Sequence, residues 1–564
     1  MKRTILYLCA LVFMITCLCL GCASTGSGES TLTFKIDTPN RTITSGNLFT
    51  NPQGTPMTAE ALVGRGNEYS RNGNYDMAIM YYTEAIRINP NYAVAYYNRG
   101  YAHVKNGDYV HAIEDLTEAI NRNAPNLAEA YDVRGIAYAE NGDYVRAIAD
   151  FTEAINRNVS DLAEAYYNRG LAHSRNHNFV SGIADYTEAI NRNYHDLAEA
   201  YVQRGFAYAN NGEYAGAIAD FTEAINRNVS NLAEAYFGRG LAHAVNRNYV
   251  SAIADFTEAI NRNVSNLATA YYNRGLAHSG NGNSVSAIAD FTEAISRNYP
   301  DLAEAYYNLG RAHFRNRNFV SAIADYTEAI NRNYHNLADA YYGRGLVHAE
   351  NGDSVSAIAD FTEVIRRNVP YLAEAYYNRG LAYYLYNDYI SAIADLTEAI
   401  RRNFPNLAEA YSNRGRAHFL NNDYISAIAD LTEAINRNYP NLAVAYFGRG
   451  LAHTGNRNYV SAIADYTEAI SRNYPDLAEA YVQRGLAYAN NGDYVSAIAD
   501  LTEAIRRNFP NLAMAHLYRG LAYYHNNDFN RAIADWEEVV QFGLEPYSAE
   551  AMKNIEIVRQ QLGY

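Results

Sequence analysis

From residue 59 to residue 547 the apolar positions come in paired runs at helical spacing, separated by short polar turns. The stretch from Ala163 to Leu197 shows the pattern. Ala165, Tyr166, Gly170, Ala172 and His173 share one face of a first predicted helix, and Asn176-His177-Asn178 forms a turn whose last residue can cap the next helix. Ile183, Tyr186, Ala189 and Ile190 then make the apolar stripe of a second helix. Asn191-Arg192-Asn193 closes the pair with residues that tolerate helix ends. Asp161 with Glu164 three residues later reads as a capping box for the first helix. Nothing in this body alternates as a strand would, so the predicted fold class is all-α.

The pair is repeated. Glycines recur from Gly66 through Gly100, Gly135 and Gly170 to Gly520, with a first interval of 34 residues and twelve more of 35. Fourteen units therefore fill residues 59–547, and a period of this length marks a solenoid rather than a set of separate domains. Tyr131, Gly135, Tyr138, Ala147, Phe151 and Ala154 in the third unit, and Gly66, Tyr69, Ala78, Tyr82, Ala85 and Pro90 in the first, stand at the offsets of the tetratricopeptide repeat. The chain resembles that family, which implies a right-handed superhelical solenoid of helix-turn-helix units. Three departures recur: the period of 35, the arginine before the glycine in all units but the one with Leu309, and the replaced or displaced proline, as at Val159 or Pro300. The glycine costs about 1 kcal/mol against alanine inside a helix. Its recurrence predicts close approach of the second helix near the small residue twelve positions on, such as Ala147 or Gly182. Residues 548–564 read as a capping helix and tail, with Ala551, Ile555, Val558 and Leu562 on one stripe.

Composition narrows the chemistry. The four cysteines, Cys9, Cys17, Cys19 and Cys22, all precede residue 23, so the body can have neither a disulfide framework nor a cysteine nucleophile. A formal charge of −15 and only four lysines argue against a nucleic-acid partner, which needs a basic stripe. Lys2, Arg3 and the apolar run from Ile5 to Leu20 read as a signal peptide over residues 1–21, too short for a membrane span. Leu18-Cys19-Leu20-Gly21-Cys22 resembles a bacterial lipoprotein cleavage box, although that family prefers leucine where Cys19 stands and a small residue where Leu20 stands. The resemblance implies that Cys22 becomes the lipid-bearing first mature residue; a plain secretory signal is the other reading. Residues 22–58, rich in Ser, Thr, Gly and Asn, read as a flexible tether reaching about 30–36 Å. The implied location is the bacterial cell envelope, outer membrane or periplasm, with membrane contact through the lipid only.

Three rows of side chains are candidates for function. Eight histidines, among them His103, His173, His313 and His453, sit three residues after the glycine, where other units place tyrosine. A position that accepts either residue is a packing position, so no metal and no cofactor is expected. An Asp in thirteen units, such as Asp150, Asp220 and Asp325, precedes a Glu by three residues and reads as a solvated stripe balanced by Arg134, Arg157, Arg204 and Arg227. Acid–base catalysis is not expected, and the chain is read as a non-enzyme. The third row lies where the family builds its concave face, three and two residues before the glycine. It comprises Tyr97, Asn98, Tyr167, Asn168, Tyr272, Asn273, Tyr307, Asn308, Tyr342, Tyr377, Asn378 and Asn413. Amides that both donate and accept suit the backbone of a protein or extended peptide, and tyrosines add contact area. Two alternatives stay open: duplication that copied these residues without function, and a glycan or envelope polymer stacked on the tyrosines. Arg311 and Arg416 are the main cations on this face.

Overall fold

A computed structural model describes residues 49–51 and 55–563, and among these residues it is built of 29 helices and no strand. The chain divides into two compact units, one ending at Pro300 and one beginning at Asp301. The first holds seven helical hairpins, from Ala59–Arg71 with Tyr75–Ile88 to Leu267–Gly280 with Ser284–Ser296. The second holds seven more, from Leu302–Arg315 with Phe319–Asn331 to Leu512–His525 with Phe529–Phe542, and ends in the helix Tyr547–Leu562. Within each unit successive hairpins stack as a solenoid.

Each hairpin turn is fixed by its polar residues. The Asn178 side chain accepts the backbone N–H of Ser181 at 3.2 Å, and Asp161 accepts that of Glu164 at 2.9 Å. The thirty-fifth residue has a definite place. After the second helix of hairpins two to thirteen an asparagine, such as Asn158 (φ 54°), takes the left-handed conformation, and the next N–H, Val159, reaches back to Ala154 O at 3.0 Å. The first hairpin is one residue shorter, and its Asn89 stays extended at φ −129°.

The recurrent glycine marks a close approach of the second helix, and a bulkier neighbour joins the small one expected. A Cβ on Gly135 would lie 2.9 Å from the Phe151 ring, and one on Gly520 would lie 2.5 Å from Trp536. The bulky residue sixteen positions on presses nearest to the bare backbone and is buried in every hairpin, while the small residue at twelve also lies close, as Ala322 O does 3.3 Å from a Cβ on Gly310.

The Asp half of the acidic row is buried rather than solvated, while the Glu half stays at the surface against its arginines, as Glu223 does 2.7 Å from Arg227. Asp150 is only 6% exposed, and Arg134 clasps it with two bonds, Nε to Oδ2 at 2.7 Å and Nη2 to Oδ1 at 2.9 Å. The third guanidinium nitrogen, Nη1, donates to Thr117 Oγ1 of the preceding hairpin at 3.0 Å. Thr117 can accept because its own proton goes to Ile113 O at 2.7 Å. This clasp recurs in twelve hairpins. It explains the arginine before the glycine: a buried carboxylate needs a bidentate partner, and the pair ties each hairpin to its predecessor. Arg157 belongs to a different layer. It lies 5.3 Å from the Tyr131 ring, which Arg134 approaches from 5.4 Å, so the tyrosine is held between two guanidinium groups.

The terminal helix buries Ser548, Ala551, Ile555 and Val558 against the last hairpin, where Trp536 anchors the cluster. Leu562, expected on the same stripe, is exposed beyond the last contact.

Candidate functional site

The first helices of the hairpins carry the twelve residues singled out from the sequence, and most are engaged within the fold. Tyr167, Tyr272 and Tyr377 are buried, each with a ring stacked on the aromatic of the following turn: Tyr194 at 4.3 Å, Tyr299 at 4.2 Å and Phe404 at 4.1 Å. Tyr307, half-buried, stacks on Tyr334 at 4.5 Å. Tyr97 and Tyr342 are half-buried, and burial pushes the Tyr97 hydroxyl up to about 12.

The asparagines bond to their own scaffold. Asn273 and Asn308 are buried and donate to the carbonyls of Thr269 and Glu304, at 2.9 and 3.1 Å. Asn378 and Asn413 donate to the hydroxyls of Tyr342 and Tyr377 in the preceding hairpin, both at 2.9 Å. Asn98 donates to Asn67 at 3.1 Å, and Asn168 is half-buried. Each stacked tyrosine has one ring face covered by the following turn, and Tyr307 also lines a pocket.

The open part of the face lies one step further along the helix, where the sequence reading marked only the two arginines. After the glycine most hairpins place an apolar residue, but the eighth and eleventh place Arg311 and Arg416, each followed three residues on by Phe314 or Phe419. The hairpin after each has glycine, Gly343 or Gly448, where others carry asparagine. Each of these glycines lines a pocket. One of about 420 Å³ is lined by Tyr307, Arg311, Phe314, Arg315, Tyr342 and Leu346, with Asp339 and Glu374 on its far side. Another of about 290 Å³ is lined by Tyr384, Arg416, Phe419, Val444, Phe447 and Leu451. A third such glycine, Gly238, opens no comparable space. There Phe206 stands in the arginine's position and packs edge-on against Phe221 at 4.9 Å.

The electrostatics of the first pocket are mixed. Arg311 donates to Asn308 Oδ1 at 3.3 Å and lies 5.7 Å from the Tyr307 ring. Burial and the adjacent Arg311 charge hold Arg315 below the usual guanidinium range. The eighth hairpin has a further irregularity. Leu309 removes the clasping arginine, and Asp325 Oδ2 is left with no hydrogen bond, facing His313 Nε2 at 3.7 Å. Burial pushes the Asp325 carboxyl up to about 7 and His313 down.

His173 sits partly buried 3.8 Å from the clasped Asp185, and burial lowers its basicity. Among the described residues no group of three or more His, Cys, Asp or Glu is assembled to hold a metal, and no helix is long and apolar enough to cross a membrane. Cys22, the signal and most of the tether lie outside the described residues.

Tetratricopeptide repeat profiles match residues 59–92 and 81–114, and then 133–199, 202–268, 272–338 and onward to 482–549. No curated protein matches. Among solved structures the chain is similar to a tetratricopeptide repeat protein from Parabacteroides merdae, at 20% identity over 45% of this chain and 98% of that one, TM-score 0.32. It is similar also to the C-terminal part of a repeat protein from Cytophaga hutchinsonii, at 21% identity over 44% and 98%, TM-score 0.38. The Cut9-Hcn1 hetero-tetramer of the APC/C gives 15% identity over 84% and 96%, TM-score 0.31.

Proposed function

Since the chain belongs to the tetratricopeptide repeat family and is a repeat scaffold, we propose that it is an exported, lipid-anchored member that binds a protein or extended peptide along the first-helix face. The observation that carries this reading is the 420 Å³ pocket between the eighth and ninth hairpins. It opens the face with aromatic walls and two arginines, which suits side chains projecting from an extended chain. Anchoring rests on Cys22 and the residues around it. A lipoprotein cysteine carries more than one acyl chain by family resemblance, and that makes membrane attachment stable.

Capture from envelope extract tests the binding. Wild-type protein should retain a polypeptide that Arg311→Ala and Phe314→Ala release. Retention of polysaccharide alone, insensitive to protease treatment of the extract, overturns the reading. Mass spectrometry of the mature amino terminus tests the anchor, which fails if the chain starts unmodified elsewhere than Cys22.

A further inference from the structure

The histidines three residues after the glycine fall into two groups, separated by the residue that caps the following helix. In the ninth and eleventh hairpins the cap is an aspartate. Asp353 and Asp423 each spend Oδ1 on a backbone N–H, that of Ser356 or Ser426, at 3.1 Å. Their Oδ2 atoms face Nδ1 of His348 and His418 at 3.3 and 3.2 Å. In the sixth and seventh hairpins the cap is an asparagine. Asn248 and Asn283 spend their one oxygen on the N–H of Ser251 and Ser286, at 3.2 and 3.0 Å. What remains of the cap is an NH2 group, which donates and accepts nothing. His173 with Asn178 and His453 with Asn458 repeat the asparagine arrangement. Nδ1 is buried and makes no hydrogen bond in His278, His348 and His418 alike, so the difference lies in the charge beside it.

A second proton on the ring therefore has different consequences in the two groups. The other ring nitrogen, Nε2, lies 3.9 Å from Asp255 in His243 and 3.7 Å from Asp290 in His278. Both oxygens of these aspartates are already held by Arg239 and Arg274. The same arginines reach Thr222 and Thr257 of the preceding hairpin. These aspartates and arginines are the charged groups that face the two rings. A protonated imidazole thus competes with the arginine for the carboxylate that ties the hairpin to its predecessor. His348 and His418 stand beside equivalent clasps, Arg344 with Asp360 and Arg414 with Asp430, but there the cap carboxylate takes the charge.

We propose that the asparagine-capped histidine hairpins are acid-sensitive joints, which loosen from the preceding hairpin as the pH falls below the usual histidine range while the aspartate-capped hairpins hold. The sign follows from burial, which lowers the basicity of His243 and His278 against the pull of the aspartate and with the push of the arginine. A base weakened in the fold costs nothing above about pH 6.5 and progressively more below it. The eighth hairpin is a separate case, because Asp325 lacks its clasp and takes up a proton in the same range.

Hydrogen exchange of the full chain, read by mass spectrometry at pH 7.5 and 5.5 with labelling times scaled to the intrinsic rate, tests this. Protection over residues 232–261 and 267–296 should fall about tenfold at pH 5.5, the factor set by one unit below the free imidazole. Protection over residues 372–436, the tenth and eleventh hairpins, should change by less than about twofold. His243→Tyr with His278→Tyr, which supplies the residue that the fifth and tenth hairpins carry as Tyr208 and Tyr383, should abolish the fall. Asn248→Asp with Asn283→Asp keeps both histidines and should abolish it too. Asp423→Asn should impose the same loss on the eleventh hairpin. If the tyrosine pair already loses protection at pH 7.5, the cap exchange decides. The proposal is overturned by unchanged protection in the sixth and seventh hairpins, by an equal fall in the tenth and eleventh, by a fall that survives the tyrosine pair, or by aspartate caps that fail to prevent it.

Discussion

The two compact units share a framework and differ in what they place on it. In the unit ending at Pro300 the positions after the glycine are filled by Ile136, Leu171, Phe206, Leu241 and Leu276 from the third hairpin on, after Asn67 and Tyr101 in the first two, and the unusual charged residue is an acid. Asp132 occupies the tyrosine position of the third hairpin, and its Oδ1 has no hydrogen bond. Burial, then the charges of Glu164, Asp161 and Glu129, push its carboxyl up to about 7. In the unit beginning at Asp301 the unusual residues are Arg311 and Arg416, each beside a pocket. Clasps, glycine contacts and turns are common to both. The framework therefore sets stability, and a few positions on one helix face set chemistry.

Breaking the common part should have the largest effect, equal in the two units. Arg204→Ala and Arg414→Ala each strand a buried aspartate, Asp220 or Asp430. Each should cost about 3–5 kcal/mol of local stability, seen as lost hydrogen-exchange protection in that hairpin and the one before it. A loss in only one unit would show that the clasp does not do the same work in both.

Two variants of intermediate effect sharpen the contrast. Leu309→Arg restores the donor that Asp325 lacks. A carboxyl whose folded pKa is raised loses nothing in acid, and it costs stability increasingly as the pH rises from about 4 through 7. The variant should thus match wild type near pH 4 and exceed it by roughly 1–3 kcal/mol at pH 8, read from urea unfolding of the eighth hairpin region. Asp132→Asn should give the same sign and pH window in the first unit, by about 1–2 kcal/mol. A gain that persists at pH 4 would assign either effect to packing instead.

The smallest effect on stability is expected from Arg311→Leu, which makes the second unit's face like the first's. Its thermal midpoint should correspond to a change within about 0.5 kcal/mol, while envelope-partner capture falls. A large destabilisation would place Arg311 in the framework.

The fold was largely legible because the period, the caps and the apolar stripes each recur, and each instance reinforces the rest. What stayed hidden depended on pairing. An Asp row at helical spacing looks the same whether it faces water or an arginine, and Arg134 meets Asp150 only once the hairpin has folded, across sixteen residues of chain. The asparagine row was visible as residues, but not as the donors that Asn378 and Asn413 supply to neighbouring tyrosines. The pockets were hidden for another reason, since they are lined by residues that depart from the average unit. Gly343 and Gly448 stand 105 residues apart in the sequence, a signal that a reading of the average unit smooths away.

The arginine that reaches back to the preceding hairpin also has a mechanical consequence. A tether at one end and a bound partner along the side would put the array under tension. Because each clasp joins only neighbouring hairpins, force would be borne in series and yield in steps. Each step through the clasped hairpins would free one repeat of 35 residues, about 120 Å of extended chain, so that these hairpins would lengthen under load stepwise rather than failing at once.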